Sequence, residues 1–220
     1  MLNNFYLTNI QIALFFAPGT NFKSIELAGG IADKLGDIFI NEPNIISLPP
    51  NAPVEVPRII FQQDNIGQLI ISSLRADLII NYVGDEWVNR VISIADKLAL
   101  YLNNMAKIRI QRIGLVLTMG IDEKLTVKDI QEKYIKQNKI VDCSELSIAW
   151  HKKTNIQGLN INRWVRINIA DYIGGQRNLI LDFNTFAEDI IDVQRFPVDY
   201  VIGEFIKDYM GDFNGIIEWN

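Results

Sequence analysis

Cysteine and histidine are almost missing from this 220-residue chain, which has one of each, Cys143 and His151. A lone cysteine excludes an internal disulfide and removes one argument for secretion. One of each also excludes zinc-finger and ribbon modules, whose coordination uses four such ligands, and it excludes a multi-histidine metal centre. No metal and no cofactor is expected. No Gly-x-Gly-x-x-Gly follows a strand-like run and no Gly-Lys-Ser/Thr occurs, so nucleotide-fold signatures are absent. No apolar run reaches the roughly 18 residues of a membrane helix. Residues 1–22 carry no charge, but the apolar part is short, is broken by Pro18 and lacks a basic leader. It reads as a buried strand rather than a targeting segment, and the expected location is the cytoplasm. Positive charge is in deficit too: 21 Lys+Arg stand against 26 Asp+Glu, a net charge of −5. That balance argues against broad nucleic-acid binding, which depends on clustered Lys and Arg.

What is present is apolar content: 49% hydrophobic residues with 21% charged. This is the make-up of a soluble globular chain of one domain or two small halves. At this length it can hide roughly 70% of its unfolded surface, so it needs no metal or disulfide to fold.

The chain reads as the same order of elements twice. The first half, 1–106, opens with a strand over residues 10–17. A helical pattern over 22–39 follows, with Phe22, Ile25, Ala28, Ala32, Leu35 and Phe39 on one face. Five of the seven prolines (Pro43, Pro49, Pro50, Pro53 and Pro57) then mark a stiff, non-helical connector. Three isoleucine-rich strands are expected over 58–63, 68–73 and 77–83, with turns at Asp64-Asn65-Ile66-Gly67 and at about Leu74 to Ala76. A helix over 86–105 closes the half, with Asp85 as its N-cap.

The second half, 107–220, gives a strand over 108–119 and a short helix started by Thr126-x-x-Asp129, which looks like a capping box. Three strands follow over 145–153, 161–170 and 178–185, with turns at Gly158 and Gly174-Gly175. A last helix begins near Pro197. The expected fold is α+β: an antiparallel sheet of about eight strands with helices on one face, built from two β-α-β-β-β-α halves related by a pseudo-twofold.

Strand alternation sorts side chains into two faces. One face carries Leu146, Ile148 and Trp150, then Val165, Ile167 and Ile169, then Leu179, Leu181 and Phe183, and must meet the helices. The opposite, bare face mixes Ile with Arg58, Gln62, Asn81, His151, Trp164, Arg166, Asn168 and Asp182. These are the candidate binding residues. Interfaces are enriched in aromatics and Arg and depleted in Lys and Glu, and this face follows that pattern.

Catalytic sets converge poorly. His151 as a base would need a nucleophile such as Cys143 or Ser147 and an orienting acid such as Asp182. An ordinary sheet histidine is the simpler reading, and no catalytic residue is assigned. Asp182, Glu188, Asp189, Asp192 and Asp199 lack calcium-loop spacing and read as a solvated acidic connector. Lys107, Arg109 and Arg112 form a basic stretch, with Arg163 and Arg166 in reach if the halves meet there. Gly29-Gly30 inside the first helix reads as a point of close helix-on-sheet packing.

Four stretches carry a resemblance: Ser47-Leu48-Pro49-Pro50, a long helix leading to Arg112-Ile113-Gly114-Leu115, Leu179-Ile180-Leu181-Asp182, and a terminal amphipathic helix ending at Phe213. The chain resembles a sporadically distributed family of bacterial proteins with no assigned activity. In that family the strand after the long helix tends to read Arg-Ile-Gly-Leu-Arg-Tyr, whereas Val116 and Leu117 stand in the last two places here. The resemblance implies a bacterial, accessory or mobile-element context and carries over no catalytic residues.

The expected function is therefore a non-enzymatic interaction module that binds a protein partner or itself through the bare sheet face or an edge strand. The alternative is small anionic ligand or nucleotide sensing in the sheet groove, anchored by Arg58, Arg166 and His151. A nucleic-acid-binding saddle comes third, and no membrane partner is expected.

Overall fold

The computed structural model describes residues 5–49, 51–81, 86–121, 124–134, 143–156, 158–186, 191–193 and 195–216. Among these residues nine strands form one open sheet in which every pairing is antiparallel. They are β1 (Phe5–Phe16), β2 (Asn44–Ile45), β3 (Ile59–Gln63), β4 (Gly67–Ile71), β5 (Arg75–Asn81), β6 (Ile110–Ile121), β7 (Glu145–Ile156), β8 (Leu159–Ala170) and β9 (Arg177–Thr185). Their order across the sheet is β2-β3-β4-β5-β1-β6-β9-β8-β7. Four helices accompany them: α1 (Ser24–Leu35), α2 (Glu86–Asn104), α3 (Val127–Tyr134) and α4 (Val198–Ile216).

The ninth strand corrects the expected count. Asn44 and Ile45 pair with Ile60 and Ile59, so the proline-rich segment is not only a connector but contributes an outer strand. The strand is two residues long because Pro43 precedes it and prolines cannot donate to a ladder. Helix α1 is shorter than the apolar pattern suggests, although Ile38 and Phe39 beyond its end remain buried. Residue 76, expected in a turn, lies in β5, because the Ser72 hydroxyl accepts the Leu74 and Arg75 N–H groups and tightens the hairpin. The predicted cap Asp85 and strand end Val83 lie outside the described residues.

Helix α2 buries Val91, Ile94, Ala95, Leu98, Ala99 and Leu102 at three- and four-residue spacing. It packs against α1 and α4. Gly30 of α1 faces Tyr101 of α2, where a Cβ would run into the phenol hydroxyl. The close packing is thus helix on helix rather than helix on sheet, and it rests on Gly30 alone, since Gly29 faces open space. The Asp96 carboxylate on α2 accepts the Val198 N–H at 3.2 Å, capping α4 from a neighbouring element. Burial and the nearby Asp199 hold the Asp96 carboxyl above its ordinary range. The expected capping box is formed as drawn: Asp129 accepts from the Thr126 N–H at 2.7 Å, and the Thr126 hydroxyl accepts from the Asp129 N–H at 3.2 Å. The hydrogen bonds from Thr126 hold Asp129 below the usual carboxylate range.

Under the helices lies one apolar layer, from Ile59, Phe61, Leu69 and Ile71 through Ile12, Leu14, Ile113 and Leu115 to Leu179, Leu181 and Phe183. Phe183 stacks on Phe205 of α4 with ring centroids 5.6 Å apart. A buried Leu, Ile or Phe contributes about 1.5–3 kcal/mol, against about 1 kcal/mol for a hydrogen bond, so this layer holds the sheet together. Among the described residues no helix is long and apolar enough to cross a membrane.

Candidate functional site: the bare face of the sheet

Burial alternates along β8 and β9 as the residue pattern requires, and the polar partners of each apolar position point away from the helices. The middle of this bare face is a hollow of about 370 Å³ whose lining includes Phe15, Arg75, Arg112, Gly114, Trp164 and Asp182. Its floor is the β1–β6 pair, whose regular register sets Phe15 opposite Arg112 just before a shift that brings Phe16 opposite Ile110. The Arg112 guanidinium lies over the Phe15 ring, 3.6 Å from its centroid, and Arg75 approaches the same ring at 5.3 Å. Arg75 Nε is ion-paired to Asp77 Oδ2 at 2.7 Å, and Gln11 Nε2 donates to the other oxygen of Asp77 at 2.9 Å.

Across β6, Gly114 leaves room for the Asn184 side chain, whose Oδ1 would stand 2.7 Å from a Cβ there. Asn184 Nδ2 donates to Asp182 Oδ1. Burial raises the Asp182 carboxyl above its ordinary value, while Asn184, Arg112 and Arg166 pull it back down. Burial also lowers Arg112, helped by Arg75 and opposed by Asp182. A guanidinium starts from so high a value that Arg112 stays cationic at neutral pH. The result is a fixed cation with an aromatic backing and a partly desolvated carboxylate beside it.

The eight candidate residues do not converge on this hollow. Trp164 and Asp182 line it. His151, Trp164 and Asp182 form one row across β7, β8 and β9. His151 stacks on Trp164 with centroids 4.5 Å apart, and its Nε2 lies 3.0 Å from Asn162 Oδ1. Trp164 remains 41% exposed, which for a tryptophan leaves a substantial apolar surface open. Arg166 is exposed beside them. Asn168 belongs to a ladder of side chains, accepting from Ser147 at 2.7 Å and donating to Asn178 at 2.8 Å. Gln62 and Asn81 lie on the other half and line a separate polar hollow of about 520 Å³ with Gln63, Asp64 and Gln68. Arg58 stands immediately before β3, its Nε buried and without a hydrogen-bond partner among the described residues. The trio Arg58, Arg166 and His151 therefore cannot anchor one small ligand, since five strands separate β3 from β8, which carries Arg166, and His151 lies one strand further on β7.

Two further expectations are corrected. Arg163 does not join Arg166: it has the opposite strand parity, points to the helix side and is 4% exposed. The five carboxylates do not make one solvated connector either, because Asp182 lies within β9, partly buried on the bare side, while Asp199 sits at the start of α4 beside Asp96. Glu188 and Asp189 lie outside the described residues. Among the described residues no group of three His, Cys, Asp or Glu side chains is placed to hold a metal ion. Cys143 accepts from Gln131 Nε2 at 2.9 Å, and Ser147 is engaged with Asn168, so neither is aligned with His151.

Reading strands singly passed over Phe15, Arg75, Asp77 and Gln11, and saw Arg112 only as part of a basic stretch with Lys107 and Arg109. The available signal was the parity of Phe15 and Arg112 with their neighbours on the two central strands. It becomes usable once β1 and β6 are known to be adjacent. No family model matches the chain, and no curated protein does.

Proposed function

We propose that this chain is a non-enzymatic interaction module that receives an acidic protein partner on the bare face of its sheet. The observation that carries the reading is the Arg112 guanidinium, fixed over Phe15 and beside Asp182 in the central hollow. Around it the face carries Arg58, Arg75, Arg166 and Lys153 against Asp77, Asp182 and Glu145, on a chain whose net charge is −5. A locally basic face on an acidic protein steers and orients an acidic partner. Exposed Trp164, next to arginine, is the residue type that dominates binding energy at interfaces.

Affinity capture from cells expressing the chain, read by mass spectrometry, compares wild type with Arg112→Glu and Arg166→Glu. An acidic polypeptide retained in fixed ratio by wild type should fall at least about tenfold in affinity with each reversal, with thermal unfolding little changed. Equal retention by both variants rejects this surface.

A second reading rests on the size of the hollow. About 370 Å³ lies within the range of small-molecule pockets, and Arg112 suits a carboxylate or phosphate. Thermal unfolding with millimolar phosphate, nucleotides and dicarboxylates tests it, because binding to the native state alone raises stability. No shift with any of them removes this reading.

The duplicated architecture belongs to the same proposal. The order β3-β4-β5-β1 on one flank runs parallel to β7-β8-β9-β6 on the other, with the β1–β6 pair between them. That order supports two halves, 1–106 and 107–220, related by a pseudo-twofold through β1 and β6, with β2 as an addition to the first. Superposing the halves by this mapping is the check, and a better fit by another strand mapping rejects it. The resemblance to the sporadic bacterial family fits an accessory, partner-dependent role.

A further inference from the structure

The two ends of the sheet are treated unequally. At one end β2 is two residues long and follows a proline, which leaves little ladder to extend. At the other end β7 runs twelve residues, Glu145–Ile156, and contains no proline. The Asp171 N–H donates to the Ser144 carbonyl at 2.8 Å, which makes residues 144 and 171 a hydrogen-bonded pair of the β7–β8 register. The Phe186 N–H to Asn160 carbonyl bond at 3.0 Å gives the same phase from the β9 side of β8. Even-numbered residues of β7 therefore bond to β8. The N–H and C=O groups of Glu145, Ser147, Ala149, His151, Lys153 and Asn155 point outward along the edge. Beyond the sheet ladder, no backbone bond to these groups occurs among the described residues. Leu146, Ile148 and Trp150, whose side chains face the helix side, are only half-buried.

We propose that β7 pairs antiparallel with β7 of a second copy of this chain, joining two nine-stranded sheets across a twofold axis. The twofold makes the interface self-complementary. Outward-bonding residues must meet outward-bonding residues, which restricts the registers to those that pair odd with odd. One of these sets Glu145 directly opposite Lys153 of the other copy, and by symmetry does so twice. It also sets Ser147 opposite His151, Ala149 opposite Ala149, and on the helix side Ile148 opposite Trp150. Shifting the register by two residues either way sets Glu145 opposite Asn155 or His151, and both carboxylate–ammonium pairs are lost. Opposite charges directly across an antiparallel pair favour it. Glu145 is already held in place, since its Oε2 accepts from Tyr172 at 2.9 Å. A lysine on a free edge normally discourages pairing; here the antiparallel copy supplies its carboxylate. This inference does not depend on the central hollow.

Sedimentation equilibrium on the full chain tests the proposal. Wild type should behave as twice 25.1 kDa. Ala149→Pro removes an outward donor and leaves the β8 ladder intact, so it should sediment as one chain with an unchanged unfolding midpoint. Lys153→Glu should weaken the dimer at least about tenfold, and adding Glu145→Lys should restore it by exchanging the charges. In a Cys143→Ser background, Ala149→Cys should form an intermolecular disulfide on oxidation, because the register sets residue 149 against itself. A wild type that stays monomeric at about 100 μM overturns the proposal. So does a dimer that survives Ala149→Pro, or one in which Ala149→Cys does not cross-link.

Discussion

The two faces of this sheet are built from the same strands and do opposite work. On the helix side, Phe61, Leu69, Leu78, Leu115, Leu181 and Phe183 are almost wholly buried, and their order along each strand follows from alternation alone. On the bare side the neighbours one residue away are Arg75, Asp77, Arg112, Trp164, Asp182 and Asn184, joined by ion pairs, amide bonds and ring contacts. One face is apolar and indifferent to chemistry, so volume decides what fits. The other is polar and partly desolvated, so charge and geometry decide. The difference separates stability from recognition, and substitutions on the two faces should respond in different assays.

The largest expected effect is on the helix side. Phe183→Ala removes the ring stacked on Phe205 and should cost about 3–5 kcal/mol in urea unfolding; a loss under about 1 kcal/mol would mean that this layer is not what holds the sheet. Gly30→Val drives a branched side chain into Tyr101 and should cost about 1–3 kcal/mol, with Tyr101→Ala recovering much of it. Without that recovery, the clash is elsewhere.

Bare-face changes come next and are smaller. Trp164→Ala should change stability by no more than about 1 kcal/mol, because the ring is 41% exposed and its stacking on His151 is its main intramolecular contact. If the bare face receives an acidic partner as proposed, the same variant should lose it in capture experiments. A stability loss as large as that of Phe183→Ala would erase the distinction between the faces.

Asp182→Asn sharpens the comparison through its sign. Burial raises the Asp182 carboxyl in the folded protein, so the native state binds a proton more readily than the unfolded chain. The contribution of this group to stability is therefore greatest below the ordinary carboxylate range and falls as pH rises through the raised folded value. Asparagine should leave the urea midpoint at neutral pH equal or higher and flatten its dependence between neutral and mildly acidic pH. A lower midpoint at neutral pH would show that attraction to Arg112 and Arg166 outweighs burial.

Much of the fold was legible because it depends on near neighbours. The isoleucine-rich runs became β3, β4 and β5 within a few residues of their expected bounds, since β-branched alternation and the Asn65 and Gly67 turn act locally. The Thr126–Asp129 capping box formed as its spacing requires. Strand β2 was not legible: two residues among prolines carry no pattern, and they become a strand only because Ile59 and Ile60 offer an open edge. The site was half legible. Trp164, Arg166 and Asp182 follow from parity within the second half. Phe15 and Arg112 are 97 positions apart, and no local rule joins them.

The sequence by itself determined the class of elements, their order, and which side of each strand is apolar, because these follow from backbone geometry and side-chain type over a few residues. Only the tertiary structure decided that β1 and β6 meet at the centre and that their register sets Arg112 opposite Phe15. It also decided that, among the described residues, β7 has no strand on its outer side while β2 is cut short. Those outcomes depend on which strands become neighbours and in what register, and that choice is settled by long-range burial of one shared apolar layer.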